Sequence, residues 1–186
     1  LDSNGRVSVQ NYNNFNDYVK LGSVLPKYNL GWRNDFNIGN IGFGAMLAGR
    51  IGGVAISMTQ AALDHYGVSK ESAEARDAGG VNINGYRVPA QSYFEERGKG
   101  RIAQYYTYSA TNFRLQEAYV SYHLPRKLVN DKIDVTLSIV GRNLAMLYSK
   151  APFDPEAVSS TGNYAQGLDY FMLPSLRSYG FSIKAN

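Results

Sequence analysis

The carboxylates that come nearest to a catalytic pair are Asp154 and Glu156, in the run FDPE. A glycosidase needs two carboxyl groups facing each other across a sugar, roughly 5 to 9.5 Å apart. Two residues flanking Pro155 in a loop set no such separation, so the pair reads as part of a shaped loop surface. Glu95 and Glu96 are adjacent and do not converge in a helix or a strand. The run GNIGFG at 39–44 spaces its glycines unlike a phosphate-cradling loop and enters a strand pattern instead of a helix N-terminus. There is no Cys, and the two His are His65 and His123, so disulfides, thiol catalysis and zinc–thiolate sites are excluded and a histidine-rich metal centre lacks ligands. Neither an enzyme nor a cofactor is expected. The side chains left for recognition are tyrosines. Tyr105, Tyr106, Tyr108 and Tyr164 can stack on sugar rings or peptide side chains without using charge, although tyrosines serve equally as membrane-interface anchors. Arg76 and Asp77 read as a loop-internal salt bridge, and Arg142 and Asn143 as hydrogen-bonding groups within a strand.

These residues sit on a chain of 186 residues, the size of one domain or of one piece of something larger. Charged residues make up 18%, below the roughly 25% usual for soluble domains, while aromatics reach 13%. With 44% apolar residues the chain is too hydrophobic to stay disordered. A net charge of +4, with no basic run, does not call for nucleic acid. The chain opens on Leu1-Asp2 with no targeting segment in view, which raises the expectation of a processed chain or a fragment.

Ile41 to Met58 is long enough for a membrane helix, but its glycines and its two-residue alternation predict one long strand. Ile41, Phe43, Ala45 and Leu47 share a face opposite Gly42, Gly44, Met46 and Ala48. The same period places Trp32, Phe36 and Ile38 against Arg33, Asp35 and Asn37. It also sets Ile133, Val135, Leu137 and Ile139 against Asp134, Thr136 and Ser138, and Tyr179, Phe181 and Ile183 against Ser178, Gly180, Ser182 and Lys184. Phe113–Leu124 is a further strand, and weaker strand patterns lie around 6–10 and 18–22. One apolar and one small or polar face suits either a soluble β-sandwich or a membrane barrel.

Connections alternate between short and long. Gly39-Asn40 and 125–132 are short, whereas 59–112 and 149–174 are long excursions, the asymmetry of outer-membrane barrels with short periplasmic turns and long extracellular loops. Within the first excursion Thr59 can cap a helix ending at Gly67, and Ser69 can cap a second, with Glu71 in its first turn and Gly79 beyond its end. Asn84-Gly85 suits a type I′ hairpin.

Five ordered blocks make the pattern specific: YVKLGSVLPKYNLGWRNDF (18–36), GVSKESAEARDAGGV (67–81), YYTYSATNFRLQEAYVSYHLP (105–125), GRNLAMLYSKAPFDPE (141–156) and GLDYFMLPSLRSYGFSIK (167–184). With these the chain resembles the C-terminal part of SusC/RagA-type TonB-dependent outer-membrane transporters. The resemblance implies an all-β fold, antiparallel strands of a barrel of about 22 strands, with short helices in extracellular loops. It implies that residues 1–186 form the C-terminal part of one barrel domain, with plug domain and signal peptide elsewhere. It further implies a SusD-like lipoprotein and the TonB complex as partners, outer-membrane lipid around the strands, and a glycan or peptide as solute. Such barrels usually end on an aromatic residue, whereas this chain ends at Asn186, which reads as a truncation. The competing readings are a soluble carbohydrate-binding β-sandwich, which needs a second apolar sheet, and a β-rich hydrolase, which needs a convergent acid/base pair.

Overall fold

The computed structural model describes residues 1–3, 7–8, 18–99, 102–125, 128, 133–159, 162 and 165–185. In chain order the elements are β1 (Tyr28–Ile38), β2 (Ile41–Ile51), β3 (Val54–Ser57), α1 (Met58–His65), α2 (Lys70–Asp77), β4 (Val81–Ile83), β5 (Tyr86–Val88), α3 (Ala90–Gly98), a 3₁₀ turn (Ala103–Tyr106), β6 (Thr107–Ser109), β7 (Asn112–His123), β8 (Val135–Ser149), β9 (Leu168–Asp169) and β10 (Ser178–Ala185). The fold is all-β and mostly antiparallel, and α1, α2 and α3 lie in the excursion between β2 and β7. No helix among the described residues is long and apolar enough to cross a membrane, a criterion that does not bear on strands. The chain divides into two compact units.

The first unit, residues 25–53, 109–157 and 173–186, is built on one five-stranded antiparallel sheet in the order β1-β2-β7-β8-β10. Gly39 at φ +57 turns β1 into β2 with Ile38 paired to Ile41, the two-residue hairpin that places a positive φ at its first central position. Register then aligns apolar side chains across the whole sheet. Phe36 faces Phe43, which faces Val120, which faces Ile139, which faces Phe181. The next row is Ile38, Ile41, Tyr122, Leu137 and Ile183. These side chains are not covered: Phe36 is 52% exposed, Ile139 63% and Phe181 66%. The reverse face carries the row Asn37, Gly42, Ser121, Ser138 and Ser182. Because successive side chains alternate faces, the sheet is apolar on one side and polar on the other.

Register shifts interrupt this regularity on β2, β7 and β8. Gln116 is an extra residue of β7 between the Met46–Glu117 and Leu47–Leu115 pairs. Asn143 and Leu144 lie opposite it on β8, with Asn143 at φ +52. The strand expected over 41–58 is broken, since Gly52 and Gly53 take φ of +82 and +83 and end β2 at Ile51. No strand forms at 18–22; residues 6 and 9–10 lie outside the described residues.

The second unit comprises residues 1–24, 54–108 and 158–172. Its helix α1 is capped by Ser57, whose hydroxyl accepts the Gln60 N–H at 3.2 Å. Thr59, the expected cap, instead accepts the Phe171 N–H at 2.7 Å. Ser69 caps α2 as its sequence suggests, with Glu71 in the first turn and Gly79 at φ +77 past the end. Asn84 and Gly85, at φ +51 and +88, form the type I′ turn of the β4–β5 hairpin. Helix α3 has no side-chain cap, and for that reason AQSYFEERG carries no start signal in the sequence. Gly98 lets α3 approach α1, because a Cβ there would overlap the Ala61 carbonyl and the His65 backbone nitrogen. A parallel pairing of β3 with β9 joins Ser57 and Asp169, and Ser57 Oγ donates to the buried Asp169 carboxylate at 2.7 Å.

Candidate functional site

In the second unit, four elements converge on one arginine. Asp64 of α1 is fully buried, and a carboxylate in that position needs both a counter-charge and hydrogen bonds. Arg97 of α3 supplies them, donating to Asp64 Oδ2 from Nη2 at 2.6 Å and from Nε at 3.0 Å, and from Nη2 to Glu71 of α2 at 2.6 Å. Tyr106, at the end of the 3₁₀ turn and only 1% exposed, donates its hydroxyl to the same Asp64 oxygen at 2.8 Å. The guanidinium also lies over aromatic rings, with Cζ 4.8 Å from the Phe94 centroid and 5.3 Å from that of Tyr105. Burial works against the Arg97 charge, but Glu71, Tyr106 and Asp64 outweigh it and hold the group firmly protonated. Burial, reinforced by Asp64, pushes the Tyr106 phenol well above its ordinary range. The Tyr105 phenol is raised mainly by Tyr93 beside it, and the Tyr108 phenol mainly by burial. Three of the four candidate tyrosines are therefore neutral hydrogen-bonding and stacking groups rather than bases or nucleophiles.

This cluster separates the candidates. Tyr106 is buried, with its ring enclosed in the arginine network and its hydroxyl on Asp64. Tyr105 is 48% exposed and Tyr108 half-buried. Tyr164 lies outside the described residues. Further exposed aromatics of this unit include Tyr66, Tyr86, Tyr170 and Phe171; Tyr170 and Phe171 meet edge to face at 5.1 Å. Among the described residues Arg76 forms no ion pair with Asp77; it donates to the Gly67 carbonyl at 2.7 Å, tying off the end of α1.

In the sheet unit, Asp154 and Glu156 also close on an arginine. Arg114 of β7 is buried and donates to Asp154 Oδ1 at 3.0 Å, with Glu156 Oε2 at 3.4 Å. The same Asp154 oxygen accepts the Glu156 N–H at 3.0 Å, and its partner oxygen accepts the Ser175 hydroxyl. Burial would raise the Asp154 pKa, but Ser175, the Glu156 N–H and Arg114 together hold it below the usual carboxylate range. Asp154 is thus an anchoring anion whose oxygens are all occupied, while Glu156 remains exposed.

The polar face of the sheet carries a network that the sequence reading did not find. Tyr119 of β7 donates to Asp35 of β1 at 2.7 Å, passing over β2 at Gly44. Arg33 binds Asp35 at 2.9 Å and approaches Glu117 at 3.9 Å, and Arg142 donates to Glu117 at 3.0 Å. GNIGFG is therefore a bare strip: Gly42 and Gly44 leave room for side chains of the two flanking strands to meet. Only strand register, unavailable from one-dimensional spacing, brings these residues together.

No family model matches the sequence. The chain is similar to TonB-dependent receptor P3 of Formosa agariphila, at 25% identity over 186 residues. That alignment covers 96% of this chain and 18% of the receptor, so the chain spans less than a fifth of the length of the curated relative it matches.

Proposed function

We propose that this chain is the C-terminal part of the β-barrel of an outer-membrane TonB-dependent transporter of the SusC/RagA type. It would import an oligosaccharide or peptide together with a SusD-like lipoprotein. The observation that carries the reading is the in-register apolar row Phe36, Phe43, Val120, Ile139 and Phe181, exposed on one face above a polar reverse face. In water such a face is far larger than the patches monomers tolerate; against lipid it needs no cover. From Tyr28 to Ile38 the strand rises about 33 Å, which at a tilt of roughly 40° gives about 25 Å along the membrane normal, the height of a barrel's apolar band. A β-sandwich would cover these side chains with a second sheet, and among the described residues they are open. The similarity to a TonB-dependent receptor supports the same reading.

On this reading 59–112 and 149–174 are extracellular loops, and the plug and the TonB-contact segment belong to the remainder of the protein. Tyr105, Tyr108 and Glu156 are the candidate contacts for solute or lid, with Tyr164 kept as a sequence-level candidate. Asp154 and Tyr106 position them. No covalent chemistry is assigned. Site-directed labelling in a cysteine-free full-length protein tests the topology. Tyr86→Cys should react with a membrane-impermeant maleimide in intact cells, and Asn40→Cys only after the outer membrane is permeabilised. Equal labelling of both, or recovery of the protein in the soluble fraction, would overturn the proposal.

A further inference from the structure

The apolar face of the sheet is unevenly filled. Toward its Tyr28 end lies a groove of about 390 Å³, lined by Leu30 and Trp32 of β1, Leu47 and Gly49 of β2, Phe113 of β7 and Leu147 of β8. Irregular pairing builds it. Phe113 faces Tyr148 and Arg114 faces Met146, so Leu147 is left over between them, and such bulges re-aim side chains. Gly49 adds no side chain, and the Phe113 ring lies where its Cβ would be. Arg114 also borders the groove, with its guanidinium already engaged by Asp154.

Beyond the groove the sheet end is cationic. Lys27 precedes Leu30 by three residues and Lys150 follows Leu147 by three, each about 10 Å along the chain. Both lysines are exposed, and neither has an ion-pair partner among the described residues. Asp154 and Glu156, the carboxylates nearest in sequence to Lys150, are both taken by Arg114.

We propose that the groove holds one acyl chain of a lipopolysaccharide whose phosphates meet Lys27 and Lys150. The inference rests on the barrel reading, in which the end that gives rise to the long excursions faces the outer leaflet, where that lipid resides. A hydrocarbon chain suits a lining of aliphatic and aromatic side chains, and a phosphate-bearing headgroup matches the sign of the two flanking cations.

The test uses the full-length protein, extracted in mild detergent, stripped of lipid and titrated with lipopolysaccharide, phosphatidylglycerol or phosphatidylethanolamine, with adducts counted by native mass spectrometry. One lipopolysaccharide should bind in preference to either phospholipid. Lys27→Glu combined with Lys150→Glu should weaken it at least tenfold, and Leu147→Trp, which fills the groove, should weaken it too. Lys27→Arg combined with Lys150→Arg should retain it, as should Lys184→Glu at the opposite end. Undiminished binding in the charge-reversed pair, or either phospholipid held as tightly, would overturn the proposal. Heat-modifiable migration separates the two levels: a folded barrel without lipopolysaccharide preference defeats only the groove assignment, whereas a wild-type protein that never migrates as a barrel defeats the reading beneath it.

Discussion

Tyr119 reaches Asp35 across the full width of an intervening strand, closing a 2.7 Å hydrogen bond over Gly44. The relation explains why that position carries no side chain: a Cβ would overlap both the Asp35 carboxylate and the Tyr119 ring. Gly44→Val should therefore break the bridge and strain the sheet by about 1–3 kcal/mol. A lower unfolding temperature of the full-length protein, read by heat-modifiable migration, is the expected outcome. Unchanged melting would show that the bridge is incidental.

The arginine knot gives a second prediction. Removing Arg97 strands the fully buried Asp64 charge, a change that typically costs about 3–5 kcal/mol. Arg97→Met should raise hydrogen exchange throughout α1 and α3, while Asp64→Asn with Arg97→Met should recover part of the loss, because no unpaired charge remains. Equal exchange in the single and double variants would contradict this account.

The two positioning groups also set opposite pH limits. Asp154 is held below its ordinary value in the folded chain, so its contribution is complete above the unfolded pKa near 4 and is lost as pH falls through the lower folded value. The 151–157 segment should stay protected at pH 5 and loosen only under stronger acid, a dependence that Asp154→Asn should abolish. Tyr106 is raised above its ordinary value, so its contribution is complete below pH about 10 and declines as pH rises beyond that. Hydrogen exchange followed from strong acid to neutral pH, with phenolate absorbance for the alkaline limb, checks both signs.

Tyr105 and Tyr106 should separate stacking from structure. Tyr105→Ala, at a half-exposed ring, should lower solute affinity and uptake while leaving loop protection intact. Tyr106→Phe should loosen the loop, since it leaves Asp64 short of a donor at a buried site. If Tyr105→Ala leaves uptake and affinity unchanged, its ring is not a solute platform.

The strands were legible because a period of two survives wherever one face is apolar: Phe36–Ile38, Phe43–Leu47 and Tyr179–Ile183 announced their faces before any pairing was known. Ser69 was legible as a cap because Glu71 and Gly79 frame its helix. The cap of α1 was misassigned by two residues, since Ser57 and Thr59 are both competent hydroxyls and only the partners Asp169 and Phe171 tell them apart. The Arg97 and Arg114 networks were not legible, because Asp64 lies 33 residues from Arg97 and Asp154 lies 40 from Arg114. Their partners are chosen by tertiary packing, to which local spacing is blind.

Two adjacent residues of β8 test whether the sheet is turned inside out relative to a soluble protein. Ile139 lies on the apolar face and Ser138 on the polar one. In the full-length protein, Ile139→Arg should prevent assembly into the outer membrane, since an arginine on a lipid-facing strand costs about 2–4 kcal/mol near the bilayer midplane, whereas Ser138→Arg should assemble normally. Assembly of the Ile139→Arg protein alongside failure of Ser138→Arg would contradict the account outright.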